Sequence, residues 1–157
     1  MKVDEVAPLV DSGALLPGAQ FADAYCVAVD NAALDARHAA ERTIERQPQW
    51  AQALLVLRNF LVAPFGLKTS GAGKIAPKDM IGIFPVISET PDRLVAGFND
   101  RHLDFRVVVD VASSGTRQSV TATTLVKTHN WLGRTYLAII LPFHRLILRA
   151  MMRQVAT

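Results

Sequence analysis

Histidine is the residue type of this chain best suited to metal binding or proton transfer, and three of its four histidines lie in the second half of the chain. His129 and His144 are fifteen residues apart, and His102 falls on a separate predicted strand. The sequence contains neither an HxH nor an HExxH motif, and a single cysteine cannot supply a multi-cysteine site. The spacing therefore predicts no metal site.

His144 is the strongest candidate for proton transfer, because it shares a predicted helix with Tyr136 and could point with it into a cavity. Two simpler roles compete with this one. A histidine just after Pro142 can bond to the backbone carbonyl that the proline leaves free, and a phenol with a pKa near ~10 donates protons slowly at neutral pH. An enzyme of cyclase, dehydratase or isomerase type using His144 and Tyr136 therefore remains an alternative.

Motifs for nucleophilic or phosphate chemistry are missing from the sequence. No serine lies in a GxSxG motif, and Cys26 lies in a predicted strand without a basic neighbour. The glycines of SGAGK at 70–74 do not join a strand to a helix as a phosphate-binding loop does. We therefore predict no catalytic residue by motif, and no cofactor.

The charges are unevenly distributed. Residues 1–57 carry a net charge of −4, residues 58–110 carry +1 and residues 111–157 carry +6 with no acid at all. Helical spacing places Arg134, Arg145, Arg149 and Arg153 in one stripe. The stripe lacks the interleaved aromatic residues of a nucleic-acid surface, so we expect it to face water or to dock on acids of the first helix. A membrane surface is the other option, although we expect the apolar face of this helix to cover the sheet.

The chain length, composition and net charge predict one soluble domain spanning residues 1–157. The chain is half apolar with a net charge of +3, and its longest apolar run, Tyr136–Phe143, is only eight residues, too short for a transmembrane span. Asp4, Glu5 and Asp11 stand where a signal peptide would be basic and apolar. With a single cysteine and no export signal, we expect a cytoplasmic protein and leave open a homo-oligomer.

Periodicity predicts an α+β fold. An N-terminal extension (1–20) precedes a strand, two amphipathic helices and an open loop (67–82), and an antiparallel meander and a final helix follow. The predicted strands are 21–30, 83–88, 93–99, 102–112 and 117–129, and the predicted helices are 32–46, 49–62 and 131–156.

Alternation along the third meander strand separates an apolar face from a charged one. Leu103, Phe105, Val107, Val109 and Val111 share one side, and His102, Asp104, Arg106 and Asp110 share the other. We expect the charged side, part of the string DRHLDFR, to be a solvated face with cross-strand ion pairs or an interaction surface.

The final helix is the natural cover for the apolar face. Its predicted inward residues are Tyr136, Ile140, Phe143, Ile147 and Met151, with His144 at their edge. A twisted sheet and a straight helix do not match along their whole length, so a cavity can remain between them.

Three segments carry a family resemblance: WAQALLVLRNFLVAPFGLK at 50–68, FPVISETPDRLVAGFNDRHLDFRVVVD at 84–110 and THNWLGRTYLAIILPFHRLILRAMMR at 128–153. They resemble a bacterial family of uncharacterised proteins in the helix-grip superfamily, which includes START domains, birch-pollen-allergen-like proteins and polyketide cyclases. The resemblance implies a curved sheet wrapped around a long C-terminal helix and supplies no catalytic residues. A helix-grip sheet usually has seven strands, so either residues 1–20 and 67–82 contribute strands or this sheet is smaller.

The leading hypothesis is a helix-grip protein that binds a small hydrophobic molecule between its sheet and its last helix. The predicted wall consists of Phe98, Phe105, Val107, Thr124, Tyr136, Ile140 and His144, with Tyr136 and His144 orienting the ligand. The remaining alternatives are the enzyme described above and a protein–protein interaction module using the charged strand face or the arginine stripe.

Overall fold

A computed structural model gives the fold and describes residues 3–8, 15–30, 33–45, 80–81, 84–99 and 103–155. The predicted helix at 49–62, the glycine-rich segment at 70–74 and His102 lie outside these residues. Within them the protein is an α+β structure, as predicted, with an antiparallel sheet and a C-terminal helix.

The described sheet contains seven strands in the order β1-β2-β7-β6-β5-β4-β3, all paired antiparallel. The strands are β1 (Val3–Val6), β2 (Phe21–Asp30), β3 (Met80–Ile81), β4 (Phe84–Glu89), β5 (Arg93–Asn99), β6 (Leu103–Ser114) and β7 (Arg117–Thr128). The sequence left open whether its first twenty residues and residues 67–82 contribute strands, and both do, through β1 and β3.

The inner face of the sheet is the apolar one that alternation predicts. On β6 the side chains of Val107, Val109 and Val111 belong to the buried core, with Phe105 packed against it. The register continues this face onto the neighbouring strands, because Val109 lies opposite Leu94 on β5 and Ala122 on β7. One apolar layer therefore runs across the middle of the sheet.

Gly97 lets β5 approach β6 closely. Its φ is +154°, and a Cβ atom placed there would lie 2.1 Å from the carbonyl oxygen of Phe105. Any side chain would push the two strands apart, so glycine is required at this crossing.

The first helix begins later than the sequence predicts. α1 (Ala36–Ala40) continues into a π-helical turn (Glu41–Glu45), whereas we expected a helix from residue 32. Asp35 is the N-cap, since its carboxylate accepts the His38 backbone N–H at 2.8 Å. The Gln118 side chain holds the preceding segment on β7 through two 3.0 Å hydrogen bonds to the backbone of Leu34.

The last helix, α2 (Trp131–Val155), runs through Pro142 as one element. It packs on β1, β2, β7 and the π-helical turn, while α1 packs on β5 and β6. The last helix therefore covers the β1, β2 and β7 part of the sheet, and α1 covers the part formed by β5 and β6.

The outer face of the sheet is not the uniformly wet surface that alternation predicts. Val95, Val108, Thr123 and Leu125 are buried there, each at most 2 % exposed. The charges beside them pair across strands, as expected. Arg93 Nε lies 2.5 Å from Asp110 Oδ1, and the second pair, His129 Nε2 with Asp104 Oδ1, is 3.0 Å apart.

The apolar residues of α2 do not all face the sheet. Leu148, Met151, Met152 and Val155 in its last turns are buried, but Phe143, which we expected to point inward, is 45 % exposed. Residues Trp131–Arg153 are also long and apolar enough to cross a membrane, and only 17 % of that stretch is buried. The uninterrupted run of eight apolar residues counted from the sequence therefore understates the length of the apolar stretch in this helix.

Candidate functional site

Two polar side chains interrupt the apolar inner face at β2. The odd-numbered residues of β2 point inward, and they include Asp23, Tyr25, Val27 and Val29, all less than 9 % exposed. The register sets Asp23 opposite Thr124 of β7, which is 2 % exposed. A carboxyl group, a phenol and a hydroxyl therefore lie together inside the layer between the sheet and α2.

His144 reaches this cluster from α2. Its Nε2 lies 3.3 Å from Asp23 Oδ1 and 3.2 Å from Asp23 Oδ2, and the two side chains are 15 % and 8 % exposed. The Phe21 ring packs edge-on against the imidazole, with centroids 6.0 Å apart. The carboxylate and the aromatic ring contact the imidazole from two sides, so the His144 side chain points toward β2.

Two atoms of the cluster lack hydrogen-bond partners. Both Tyr25 Oη and Asp23 Oδ2 are buried, and no donor or acceptor meets either of them with hydrogen-bonding geometry. Leaving such a group unsatisfied costs about 1–3 kcal/mol, so buried polar groups are paired in most proteins. The polar atoms of this site can therefore form more hydrogen bonds than its own residues provide.

The electrostatic surroundings of Tyr25 keep its phenol protonated. Burial, followed by the negative charges of Asp23 and Glu5, raises the pKa of Tyr25 above its usual value. Arg149 opposes the shift, since its guanidinium carbon lies 5.5 Å from the centre of the Tyr25 ring. Arg149 also lies 3.8 Å from Glu5, so β1 rather than the first helix supplies the acid that meets the arginine stripe here.

The predicted wall residues separate into three groups. Thr124 and His144 flank Asp23, and Val107 is opposite Thr124 in the register and buried. Phe105, Tyr136 and Ile140 are half-buried. The register places Phe98 opposite Phe105 on the neighbouring strand. The structure thus brings Thr124 and His144 together and gives His144 a partner, Asp23, that the sequence interpretation did not include.

Asp23 and Tyr25 are the site residues that sequence reasoning missed. The signal was available, because Phe21, Asp23 and Tyr25 alternate in phase with the apolar Val27 and Val29. An acid in phase with the buried face of a strand is a candidate functional residue, since a lone charge seldom occupies a core position.

A concave site lies on the outer face of the sheet. It is a cavity of about 380 Å³, lined by Asp92, Arg93, Asp110, Val111, Ala112, Ser119, Thr121 and Thr123. None of the predicted wall residues lines it. Its principal charges, Arg93 and Asp110, bond to each other, and the buried Thr123 hydroxyl has no hydrogen-bond partner.

Neither site has the composition of a metal centre. In the part of the chain that the structure describes, no three His, Cys, Asp or Glu side chains are grouped to hold a metal ion. The chemistry available at the inner cluster is hydrogen bonding and proton transfer, because an imidazole oriented by a carboxylate can act as a base or anchor a polar ligand group.

Comparison with protein families gives one match, to the model described as "Protein of unknown function (DUF2867)", over residues 15–151. The chain belongs to this family. The matched range includes the inner cluster around Asp23, Tyr25 and His144, from Phe21 on β2 to Arg149 on α2. Glu5 on β1 lies outside it. The family assignment agrees with the sequence resemblance to uncharacterised proteins.

Solved structures similar to this DUF2867 protein include a conserved protein from Geobacillus kaustophilus and a protein from Arthrobacter aurescens. The first is 10 % identical with a TM-score of 0.42, covering 87 % of this chain and 93 % of its own. The second is 14 % identical with a TM-score of 0.44, covering 99 % and 88 %. A search among curated proteins gives no match.

Proposed function

We propose that this protein has the helix-grip architecture and binds a small, mainly apolar molecule with one polar end between its sheet and α2. The observation that carries the proposal is the buried Tyr25 Oη, which has no hydrogen-bond partner, next to Asp23 Oδ2. The latter lies 3.2 Å from His144 Nε2 but makes no hydrogen bond with it. An antiparallel sheet of seven described strands packed on a C-terminal helix supports the architecture.

The unpartnered atoms define the polar end of the ligand. Asp23 Oδ2 accepts hydrogen bonds, and the Tyr25 hydroxyl can donate or accept one. A hydroxyl or amino group on the ligand would donate to Asp23 and could pair with Tyr25. Both atoms lost their hydrogen bonds to water when the protein folded. Each new bond to the ligand would therefore offset part of that desolvation penalty.

The neighbouring side chains suit an apolar body. Val107 borders Thr124 on the sheet, and the half-buried Phe105 extends the same face away from Asp23. Ile140 lies one helical turn before His144 on α2 and is also half-buried. A ligand with its polar end at Asp23 would lay its apolar part along these three side chains.

Mass spectrometry of the intact protein, purified under native conditions, tests this proposal. We expect the wild type to retain a small molecule that Asp23→Asn and Tyr25→Phe lose or hold at lower occupancy. Thr123→Val is the matched control, since it removes a buried unpartnered hydroxyl from the outer face of the sheet and should leave ligand occupancy unchanged. A wild type free of ligand, or a Tyr25→Phe protein of unchanged occupancy, contradicts the proposal.

A second candidate function is acid–base catalysis on the bound molecule, favoured by the close His144–Asp23 pair. His144 would take a proton from one atom of the ligand and return it to another, an isomerisation that needs no co-reactant. Asp23 is the residue that orients the base. The retained molecule would then be converted by the wild type, whereas His144→Gln would bind it unchanged; equal conversion by both proteins rejects catalysis.

A further inference from the structure

We propose that α2 docks on an anionic membrane surface through its outer face, defined as Trp131, Ile139, Phe143 and Leu146. This function is independent of the ligand proposed above, because it uses side chains that point away from the sheet.

The outer face is unusually apolar for exposed surface. Trp131 is 68 % exposed, and Ile139, Phe143 and Leu146 are 64 %, 45 % and 57 % exposed. The remaining large hydrophobic residue with such exposure in the described chain is Ile87, alone on β4. Single exposed hydrophobic residues are ordinary, but a group of them marks an interaction surface.

Helix geometry makes the four residues one surface. At about 100° per residue they fall within an arc of about 120°, spread over roughly 22 Å of helix. His144, which bonds to Asp23, and the buried Leu148 lie on the opposite side of the same helix. The outer face is therefore a second apolar stripe, distinct from the stripe that packs on the sheet.

Charge identifies the partner. Arg134 and Arg145 are exposed along one edge of the outer face, and residues 111–157 contain no Asp or Glu. An anionic lipid surface complements both the arginines and the apolar side chains. A second copy of the chain, packed face to face, would instead bring like arginines together without an acid on this helix to offset them.

The rest of α2 determines that the helix lies on a membrane rather than crossing it. Met152 and Val155 are fully buried, and His144 is bonded to β2. Crossing would require breaking all these contacts, whereas surface docking uses side chains that are already exposed. Trp131 would lie at the level of the lipid headgroups, where tryptophan is favoured.

Vesicle co-sedimentation of the full chain tests the proposal. We expect binding to vesicles of phosphatidylcholine mixed with phosphatidylglycerol and little binding to phosphatidylcholine alone. The double variant Ile139→Gln/Phe143→Gln should bind at least about tenfold more weakly while keeping its thermal stability, because both residues are exposed. Arg134→Gln and Arg145→Gln should each weaken binding by about fivefold and reduce its salt sensitivity.

The matched control is Ile87→Gln, which removes a similarly exposed isoleucine from β4 and should leave binding unchanged. In a Trp50→Phe background the fluorescence of Trp131 should shift to shorter wavelength with anionic vesicles. Equal binding by the double variant, or no preference for phosphatidylglycerol, overturns the proposal. A wild-type dimer in analytical ultracentrifugation that the double variant dissociates also overturns it, because the outer face would then be a self-interface.

Discussion

The two halves of α2 have similar apolar content and opposite environments. The last turns bury Leu148, Met151, Met152 and Val155 against the sheet and the π-helical turn. In the first half Trp131, Ile139 and Phe143 remain exposed, as does Leu146 just past the midpoint. His144 lies where the two halves meet and ties the helix to β2 through Asp23. The difference teaches that a hydrophobic side chain stabilises this protein only where another element covers it.

The contacts of the second half explain its burial. Arg42 in the π-helical turn donates a hydrogen bond of 3.3 Å to the Val155 carbonyl, satisfying an acceptor at the end of α2. Thr43 is 1 % exposed and donates to the Ala39 carbonyl at 2.8 Å, which steadies the same turn. The second half of α2 therefore rests on a supported surface, whereas the proposed ligand contacts lie at the polar cluster and most of the proposed membrane contacts lie in the first half.

The sharpest test of the comparison removes one side chain from each half. Met152→Ala should lower the free energy of unfolding by about 2–5 kcal/mol, because it leaves a cavity at a fully buried position. Ile139→Ala, at 64 % exposure, should change it by less than about 0.5 kcal/mol. Urea unfolding measures both. Similar losses for the two variants would show that both halves are covered in solution.

A smaller effect on stability should come from α1, which leads into the π-helical turn that packs on the second half of α2. Asp35→Ala should cost about 0.5–2 kcal/mol, since it removes the N-cap of α1. Asp35→Asn keeps a capping oxygen and serves as the control. The backbone N–H of His38 holds the pKa of Asp35 below its ordinary value, so the advantage of aspartate over asparagine is present above about pH 4 and is lost as the pH falls through the folded pKa. Unfolding curves in which that advantage persists in acid would contradict the assignment.

The smallest effect concerns the polar cluster beside His144. Tyr25→Phe should raise stability by up to about 1 kcal/mol, because it removes a buried hydroxyl without a partner. Burial is the largest cause of the raised pKa of Tyr25. Titration of this group therefore leaves wild-type stability unchanged below about pH 10 and lowers it as the pH rises through the folded pKa. The gain from phenylalanine should therefore grow at alkaline pH. Thermal unfolding across that range measures it, and a destabilised variant would mean that the hydroxyl is bonded.

Local periodicity predicted most of the described elements. The strands at 21–30 and 93–99 have the predicted bounds, and α2 begins at the predicted Trp131. These elements follow from backbone geometry, because alternation with a period of two and apolar spacing near 3.6 are properties of neighbouring residues. The two short strands at Val3–Val6 and Met80–Ile81 carry too few residues for a period to be read.

The candidate site was only half predictable. His144 and Thr124 were chosen from the sequence, but Asp23 lies 121 residues before His144 along the chain, and no local pattern relates them. Tyr136 was chosen because it shares a helix with His144, whereas the tyrosine beside Asp23 is Tyr25, on the strand below. A site formed between two elements depends on how they pack, which spacing within one element does not encode.

The sequence by itself determined the α+β order, the apolar face of the meander and the acid-free, basic end of the chain. The tertiary structure alone decided which arc of α2 meets the sheet. An amphipathic period fixes the angles between side chains on a helix, but α2 is apolar over a wide arc, and only its contacts with β1, β2, β7 and the π-helical turn select the buried part. That selection brings His144 to Asp23 and leaves Trp131 exposed, because one rotation of the helix fixes both.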